Sequence, residues 1–536
     1  MTRTRIRAEH GFTMIVVMGV MLIGMMLSAA AFAAVNNDLP LIRGAADRKQ
    51  AYAAAEAGLD YYKFQLSRNN DFWTKCTNVP PPSPTESAPI MQRWTGSGTV
   101  PWRKVAGSDA SYVIELLPAK GATCDPSQPE QTMLDQASGT FRIRSTGRSG
   151  RILRTITATF RRASFLDYLY FTDLETSDPQ TYETQAERDR AQTDCSVPRA
   201  SRPASCNEIT FADQDAINGP FHTNDDLQTC GTPTFGRAGR QDKIEISGPA
   251  SDGYTPICGN VTPDFQGTVV HPATKLTVPT NNTKLATLAQ SGYSFTGTWK
   301  ITLQNTMMTA KNLATNQSVT EPLPPNGVIY GNQGAGCTGI ATPLVQNYAD
   351  SKACAVLYVS GNASSSLTID SAADIVIDGD ITHDADVVVG LIGSNFVRVY
   401  HPVTPSPRAG ADCTANASSS PLFPPGPDAE GALSSVRIDA AILSLQHSFI
   451  VDNYACGAKL GTVAVNGAIA QKYRGPVGTF DRSTGRGVTG YTKSYTYDDK
   501  LKFRSPPYFL DPVAAAWRII RSNEQVPAVK LPYTGP

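Results

Sequence analysis

The stretch RAEHGFTMIVVMGVMLIGMMLSAAAFAAVNN, Arg7 to Asn37, decides whether this chain begins with a long helix. From Gly11 onward it contains no charged residue, and a helix needs about 20 apolar residues to cross a bilayer. Basic residues before an apolar segment stay on the cytoplasmic side, and here they are Arg3, Arg5 and Arg7. We therefore predict a transmembrane helix over residues 12–37, with the bulk of the chain outside the cytoplasm.

Two interpretations of this run differ in what the mature protein keeps. A cleaved signal peptide needs a small-x-small site after its apolar core, and Ala31-Phe32-Ala33 provides one. The other interpretation retains the run, because residues 38–70 continue it as an amphipathic helix. Apolar residues recur there at spacings of three and four, which places them on one stripe: Tyr52, Ala55, Leu59, Tyr62 and Leu66. This continuity favours one helix over residues 12–70.

Two motifs carry a resemblance to a known family. GFT, which begins at Gly11 and leads into an unbroken apolar helix, resembles the start of type IV pilins. AYAAAEAGL, Ala51 to Leu59, is similar to the segment found at this place in PilX-type minor pilins. The resemblance implies that residues 1–11 are a leader, which prepilin peptidase removes by cutting between Gly11 and Phe12. It also implies other pilins and pilus assembly proteins as partners, and the membrane as the location of the N-terminal helix.

One position departs from the family pattern. Most major pilins carry a glutamate as the fifth residue of the mature chain, where it neutralises the N-terminal amine of a neighbouring subunit in the apolar fibre core. In this chain that residue is Val16. The departure favours a minor or tip subunit, or one that stays in the membrane, over the major fibre-forming subunit.

Length and composition limit the remaining functions. The chain has 536 residues, enough for two or three domains, and its 47 basic and 47 acidic residues leave no net charge. A neutral chain has no bulk attraction to nucleic acid, so we expect no nucleic-acid partner. Glycine (43 residues) and proline (38 residues) are plentiful, which favours a turn-rich β protein after the helix.

The cysteines predict disulfides, because their number is even and all ten follow the apolar run, on the oxidising side of the membrane. They are Cys76, Cys124, Cys195, Cys206, Cys230, Cys258, Cys337, Cys354, Cys413 and Cys456. The sequence leaves their connectivity open. Nearest-neighbour pairing would close short loops between Cys195 and Cys206, Cys230 and Cys258, and Cys337 and Cys354.

The residues after the helix indicate a small β head. Residues 71–93 include NVPPPSPTESAP, whose composition is typical of a linker. In residues 140–162, two runs of alternating apolar residues flank a glycine-rich turn, which predicts an antiparallel hairpin. We expect residues 94–165 to form an antiparallel sheet that packs on the helix, as in the pilin head.

A recurring pattern marks residues 166–489. It consists of apolar-x-apolar, a small polar corner residue, Gly or Ala, any residue, and a further small or apolar residue, as in IVIDGDI (Ile375 to Ile381) and VAVNGAI (Val463 to Ile469). Short strands with small corners suit a β-solenoid, because inward apolar residues stack from coil to coil. A β-sandwich is the alternative for this region. Residues 490–536 are expected to cap the open end of the solenoid.

The predicted fold class is therefore α+β. It combines a long N-terminal pilin-type α-helix, a small antiparallel β head, and a mainly-β region that forms a right-handed parallel β-solenoid with insertions.

Two acidic clusters are the candidates for chemistry. One places His222 beside Asp225 and Asp226, and the other surrounds His383 with Asp378, Asp380, Asp384 and Asp386. Alternating strand residues share a face, so Asp378 and Asp380 could project together, either as Ca²⁺ ligands with Asp384 or as paired carboxylates for glycosidic cleavage. Aspartate is also an ordinary corner residue that bonds to local backbone. We expect this last role, with no catalytic residue, metal or cofactor.

These patterns predict assembly rather than catalysis. The expected function is a minor pilin or pilin-like structural subunit, engaged in type IV pilus assembly or surface adhesion, and located in the membrane with its bulk at the cell surface. Two alternatives remain: a secreted or membrane-anchored β-helix enzyme acting on polysaccharide, and an adhesin whose apolar run is only a signal peptide.

Overall fold

The computed structural model describes residues 12–76, 102–121, 123–135, 138–213, 215–346, 348, 352–404, 420–421, 433–479, 487–513 and 515–531. The leader (1–11) and most of the proposed linker therefore lie outside the described residues. The fold is mixed α+β, with many strands and few helices. The chain divides into two compact units: unit 1 comprises Met1–Leu134, Phe141–Phe160 and Ile519–Pro536, and unit 2 comprises Asp135–Thr140 and Arg161–Arg518.

Unit 1 combines one long helix with a five-stranded sheet. Its helices are α1 (Phe12–Arg68), a 3₁₀ helix (Phe72–Lys75) and α2 (Pro129–Thr132). The strands are β1 (Arg103–Lys104), β2 (Ser111–Leu117), β3 (Thr140–Ser149), β4 (Ile152–Arg162) and β32 (Trp517–Gln525), in the order β1-β2-β3-β4-β32. The pairs β1–β2 and β2–β3 are antiparallel, and β3 and β4 form the hairpin that the sequence predicts.

Residues 43–68 of α1 pack on this sheet through the stripe that the periodicity predicts. Four of its five members, Ala55, Leu59, Tyr62 and Leu66, are buried, and Tyr52 is partly buried. The ring of Tyr62 lies edge-on to Phe141 and Phe160, with centroids 6.1 and 5.9 Å away. Each large buried side chain contributes about 1.5–3 kcal/mol, so this packed half holds the helix in place.

The helix and the sheet approach each other most closely at two glycines. A Cβ at Gly147 of β3 would lie 2.0 Å from the carbonyl oxygen of Ala51 and 2.4 Å from the amide nitrogen of Ala55. A Cβ at Gly58 of α1 would lie 2.2 Å from Oγ of Ser145. Because the atoms facing Gly147 are backbone atoms, the packing requires glycine there, whereas a side chain at Gly58 would force the Ser145 hydroxyl to move.

Unit 2 is built mainly from short strands. Its helices are α3 (Gln185–Asp194), α4 (Thr283–Leu288) and 3₁₀ helices at Phe165–Asp167, Pro179–Thr181, Arg199–Ser201, Pro343–Val345 and Asp499–Lys502. The first run of strands is β5 (Tyr170–Ser177), β6 (Phe211–Ala212), β7 (Ala216–Asn218), β8 (Phe221–Thr223), β9 (Leu227–Cys230), β10 (Thr234–Phe235), β11 (Lys243–Ile246), β12 (Tyr254–Pro256), β13 (Asp264–Phe265) and β14 (Thr268–Val270).

The second run follows α4. It contains β15 (Ser294–Thr296), β16 (Trp299–Asn305), β17 (Met307–Asn312), β18 (Ser318–Pro322), β19 (Val328–Asn332), β20 (Val356–Ala363), β21 (Leu367–Ser371), β22 (Asp374–His383), β23 (Val389–Gly393), β24 (Val397–Val399), β25 (Val403–Thr404), β26 (Ser420–Pro421), β27 (Val436–Ile438), β28 (Ala441–Ser444), β29 (Phe449–Val451), β30 (Lys459–Arg474) and β31 (Gly490–Tyr497).

Long parallel ladders organise these strands. One ladder has the order β15-β19-β21-β23-β28-β30-β5-β8-β11-β14, and every pair in it is parallel. A second set of parallel pairs links β16, β20, β22, β24 and β29, and continues through β27, β30, β31, β7, β10 and β13. The strands β16, β17 and β18 form an antiparallel meander.

The order of the strands in these ladders differs from their order in the sequence. The first run proceeds from β5 outward to β14, whereas the second run starts at the opposite end with β15 and returns until β30 pairs with β5. Strand β31 pairs with β30 on one side and with β7 on the other, so it lies inside the ladder and does not cap an open end. β32 joins the five-stranded sheet, so the predicted role of residues 490–536 as a cap does not describe them.

Apolar columns run across the ladders and form the core of unit 2. In one column the register aligns Ile329, Ile369, Leu391, Ile442, Ile469, Tyr170, Phe221 and Ile244, all of which are buried. The recurring sequence pattern supplies Ile442 and Ile469, the apolar residues that follow the small corners. The pattern thus marks the inward positions, as expected of stacked strands.

Disulfides cross-link several loops. The bridges are Cys76–Cys124, Cys195–Cys206, Cys230–Cys258 and Cys337–Cys354. The last three are the pairs that nearest-neighbour reasoning selects. Cys456 is also disulfide-bonded, and Cys413 lies outside the described residues.

Candidate functional site

The first part of α1 presents an apolar surface that no other described residue covers. Its large side chains from Met14 to Leu27, and Phe32, are each at least half exposed. We call this surface the apolar half of α1; it includes Val16, and the space around Gly19 and Gly24 is open. Monomeric soluble proteins rarely expose a continuous apolar surface of this extent, and such surfaces mark contacts with proteins or membranes.

Among the helices in the described part of the chain, none combines the length and the hydropathy required to cross a bilayer.

Polar contacts fix the point where α1 meets the sheet. The hydroxyl of Ser149, at the end of β3, lies 2.9 Å from both Asp47 Oδ1 and Gln50 Oε1. Further along the helix, Gln65 Nε2 donates to the hydroxyl of Tyr61 at 3.1 Å. The Ser149 contacts and the buried stripe attach residues 47–66 to the sheet, whereas the Gln65–Tyr61 bond lies within α1. The apolar half precedes the attached part.

The expectation that Asp378 and Asp380 share a face is wrong. Asp378 is fully buried and its Oδ2 lies 2.9 Å from Lys300 Nζ, whereas Asp380 is exposed and accepts the backbone N–H of Arg437 at 2.8 Å. The reason is a register shift between β20 and β22, in which Val359 pairs with Ile377 but Gly361 pairs with Ile381. This bulge breaks the alternation on which the prediction depended.

The remaining members of this cluster make local contacts. Asp384 is exposed, and hydrogen bonds from Ser364 and Asn362 lower the pKa of its carboxyl. His383 Nδ1 lies 2.8 Å from the carbonyl oxygen of Asp384. Within the described ranges no group of three or more His, Cys, Asp or Glu residues could hold a metal ion. The side chains therefore bond as corner residues do.

The cluster at His222 is interior. Its Nδ1 lies 3.0 Å from Glu245 Oε2 and its Nε2 lies 3.1 Å from Asn224 Oδ1. Asp225 is buried; it accepts the backbone N–H groups of Glu175 and Arg199 and forms an ion pair with Arg202. These side chains hold the loops around β5 and β8, and they present no open face to a substrate.

Glu175 makes unit 2 sensitive to pH. Burial raises its pKa from 4.5 to about 7, and the nearby Arg474, 3.7 Å away, opposes the shift. Because the folded state holds this proton more tightly, the stability it contributes is complete below pH 4.5 and is lost as the pH rises through 7. We expect chemical denaturation of a Glu175→Gln variant to show a smaller loss of unfolding free energy between pH 4.5 and 7.5, by on the order of 2–3 kcal/mol.

The matched control for this prediction is Glu183→Gln, at an exposed glutamate of the same unit. Its pH profile should follow that of the parent chain. A Glu175→Gln profile parallel to the parent profile would contradict the assignment.

Sequence reasoning missed a buried charged network and the cavity beside it. The guanidinium of Arg398 lies 2.8 Å from Asp452 and 3.2 Å from Asp374, and all three side chains are buried. A cavity of about 320 Å³ adjoins the network and is lined by Tyr348, Lys352, Tyr358, Asp374 and Arg398, among others. The paired cysteines 337 and 354, which bracket one wall, were the only sequence signal that this segment is structurally fixed.

Comparisons with known proteins provide no assignment. No family model matches the chain, and no curated protein has a significant sequence match. Among solved structures, the chain is similar to the competence-associated pilin ComZ from Thermus thermophilus, with 12% sequence identity and a TM-score of 0.26 over 89% of this chain and 97% of that chain. A TM-score this low supports no conclusion about a shared fold.

Proposed function

We propose that this chain is a minor pilin-like subunit of a type IV pilus or a related machine, and that it acts by assembly rather than catalysis. One observation carries the proposal: α1 continues without a break from the exposed apolar half into the half that packs on the antiparallel sheet. A signal peptide is removed whole and has no need of helical continuity with the folded domain. A retained helix needs one half that packs on the folded domain and another half whose surface is free for other contacts.

The free surface defines the role of the helix. Burial of apolar area stabilises by about 25 cal/mol per Å², so a helix whose apolar half stays in water would be strongly disfavoured. We infer that the membrane covers residues 12–37 first and that apolar helices of neighbouring subunits cover them after extraction into a fibre. Val16 provides no carboxylate for a neighbour's amine, which fits a minor subunit.

The disulfides support an extracytoplasmic location for both units. Each unit contains at least one bridge, and such bridges persist in oxidising compartments. In this proposal prepilin peptidase acts on the cytoplasmic side, and the folded bulk projects at the cell surface.

We further infer that unit 2 is a β-solenoid rather than a sandwich. Its ten-stranded ladder is parallel throughout, whereas sandwiches are built from antiparallel sheets. A unit of this size would crowd a regular helical shaft, which favours a position at the tip or on the surface, available for adhesion or for priming assembly.

The polysaccharide-cleaving alternative depended on exposed paired carboxylates. Asp378 is buried against Lys300, so it is not available to act with Asp380 on a glycan. No second function is proposed for this cluster.

Processing at Gly11 tests the proposal. The mature chain in envelope material from its own host should begin at Phe12 by mass spectrometry, and a Gly11→Val variant should keep the leader and be absent from fibres. The reason is that prepilin peptidase cuts after a glycine in the family that the chain resembles, and the substitution removes that glycine.

The matched control is Ala33→Leu, which destroys the small-x-small site and leaves Gly11 intact. It should be processed normally. The proposal would be contradicted by a mature chain that starts near Ala34 and whose processing is blocked by Ala33→Leu and not by Gly11→Val. That result would indicate a secreted protein.

A further inference from the structure

The cavity beside Arg398 lies on the side of the ladder opposite to the main core. Along β20 and β22, Leu357, Val359, Ile375 and Ile377 belong to the core, whereas Tyr358 and Val376 form a separate cluster with Tyr400. The register aligns Tyr358, Val376 and Arg398 on three successive strands, β20, β22 and β24. Of these, Tyr358 and Arg398 line the cavity, together with Val356, Ala373 and Asp374 of the same strands and their turn.

The opposite wall comes from the segment between Cys337 and Cys354. Thr338, Gly339, Ile340 and Ala341 line it, together with Tyr348 and Lys352. The Cys337–Cys354 disulfide closes this segment on itself, and the Tyr348 hydroxyl donates to Asp452 at 2.8 Å. The disulfide and this hydrogen bond hold the described residues of the wall against the ladder. Its volume of about 320 Å³ is at the small end of ligand sites, which run from about 300 to 1,000 Å³.

Several polar groups at the cavity have unused hydrogen-bonding capacity. Tyr358, whose hydroxyl can donate and accept, lines the cavity, and the Arg398 Nε–H is buried with no partner in the described part of the chain. Lys352 Nζ donates to the carbonyl oxygen of Tyr348 at 3.0 Å and carries further N–H groups. Asp374 supplies carboxylate oxygens that accept. Donors and acceptors therefore occur side by side.

Among the described residues at the cavity, the charges balance. Arg398 and Lys352 are opposed by Asp374 and Asp452, and Arg398 is already paired with both carboxylates. An anion would meet Asp374, and a cation would meet Lys352 and Arg398. The cavity therefore suits a neutral ligand that both donates and accepts hydrogen bonds.

We propose that this cavity binds one residue of a neutral glycan. A pyranose ring has an apolar face of C–H groups that packs on a tyrosine ring, and a rim of hydroxyls that donate and accept. Tyr348 and Tyr358 provide the rings, and Lys352, Asp374 and the Tyr358 hydroxyl provide the polar contacts. The site belongs to unit 2 and does not depend on how the N-terminal helix is processed.

The test is a titration of the full chain in a detergent without a sugar headgroup. The probes are methyl β-D-glucopyranoside, methyl β-D-galactopyranoside and methyl N-acetyl-β-D-glucosaminide, followed by saturation-transfer-difference NMR. We expect saturable binding of at least one glycoside, weakened at least tenfold in Tyr358→Phe and in Lys352→Met. Tyr358→Phe removes one oxygen and keeps the ring, so its fold can be checked by an unchanged thermal transition.

The matched control is Lys459→Met, at an exposed lysine of β30 that does not line the cavity. It should bind as the parent chain does. Either of two results would overturn the proposal: no saturable binding of any glycoside, or binding that both cavity variants leave unchanged.

Discussion

A Gly147→Ala variant is expected to release the packed half of α1 from the five-stranded sheet. The added methyl would lie 2.0 Å from the Ala51 carbonyl oxygen and 2.4 Å from the Ala55 amide nitrogen, and both are backbone atoms that cannot rotate away. The helix must move, which separates the buried stripe from the sheet. Overpacking of this kind costs about 3 kcal/mol, at the upper end of the usual range.

Hydrogen exchange followed by mass spectrometry measures this effect locally, in peptides from residues 43–68. A loss of about 3 kcal/mol corresponds to amide exchange roughly a hundred times faster when local opening controls exchange. A local probe is preferable because a chain with two compact units need not unfold in one step.

The control places the same methyl group where there is room. Gly44 lies on the same helix, and nothing lies within 4 Å of a Cβ added there. Because alanine has the higher helix propensity, Gly44→Ala should leave exchange unchanged, or slow it by raising the free energy of local opening by up to about 1 kcal/mol. A Gly147→Ala chain in which residues 43–68 exchange no faster than in the Gly44→Ala chain would show that the contact between helix and sheet tolerates the added methyl group.

An Asp452→Ala variant is expected to destabilise unit 2 by about 3–5 kcal/mol, because it leaves the buried Arg398 short of a counter-charge. Asp452 accepts two hydrogen bonds from Arg398 Nη1, at 2.9 and 2.8 Å, and one from the Tyr348 hydroxyl at 2.8 Å. After its removal Asp374 is the one carboxylate paired with the guanidinium among the described residues. The unfolding free energy from urea denaturation, followed by near-ultraviolet circular dichroism of the buried tyrosines, measures the loss.

Asp386→Ala is the corresponding change at the surface. Its carboxylate is 89% exposed and lies 3.4 Å from Arg504, and exposed pairs contribute about 1 kcal/mol or less. An Asp452→Ala chain that unfolds within about 1 kcal/mol of the Asp386→Ala chain would mean that water reaches Arg398 and solvates it.

Much of the local structure follows from the sequence. The stripe of Ala55, Leu59, Tyr62 and Leu66 predicted both the helix and its buried face, because a period of 3.6 residues leaves one choice of face. The β3–β4 hairpin followed from alternation around a turn. The recurring corner pattern located inward residues such as Ile442 and Ile469. These features depend on neighbours within a few residues, which the sequence lists directly.

The candidate sites were predicted less well. Alternation placed Asp378 and Asp380 on one face, but a bulge against β20 buries one and exposes the other. The cavity at Arg398 was not predicted, since it depends on three strands in register and on a wall that a disulfide closes. A bulge and a register are properties of a pair of strands, and neither is visible in one strand alone.

By itself, the sequence determined a long helix with one buried stripe, a small antiparallel sheet, and many short strands with an apolar inner face. Only the tertiary structure decided which strands are neighbours: β30 meets β5, β31 lies between β30 and β7, and the second run starts at the far end of the ladder. The physical reason is that every strand presents a similar apolar inner face, so alternation permits many orders. Loop closure depends only weakly on length, by about 0.6 kcal/mol per doubling, and therefore does not enforce sequence order.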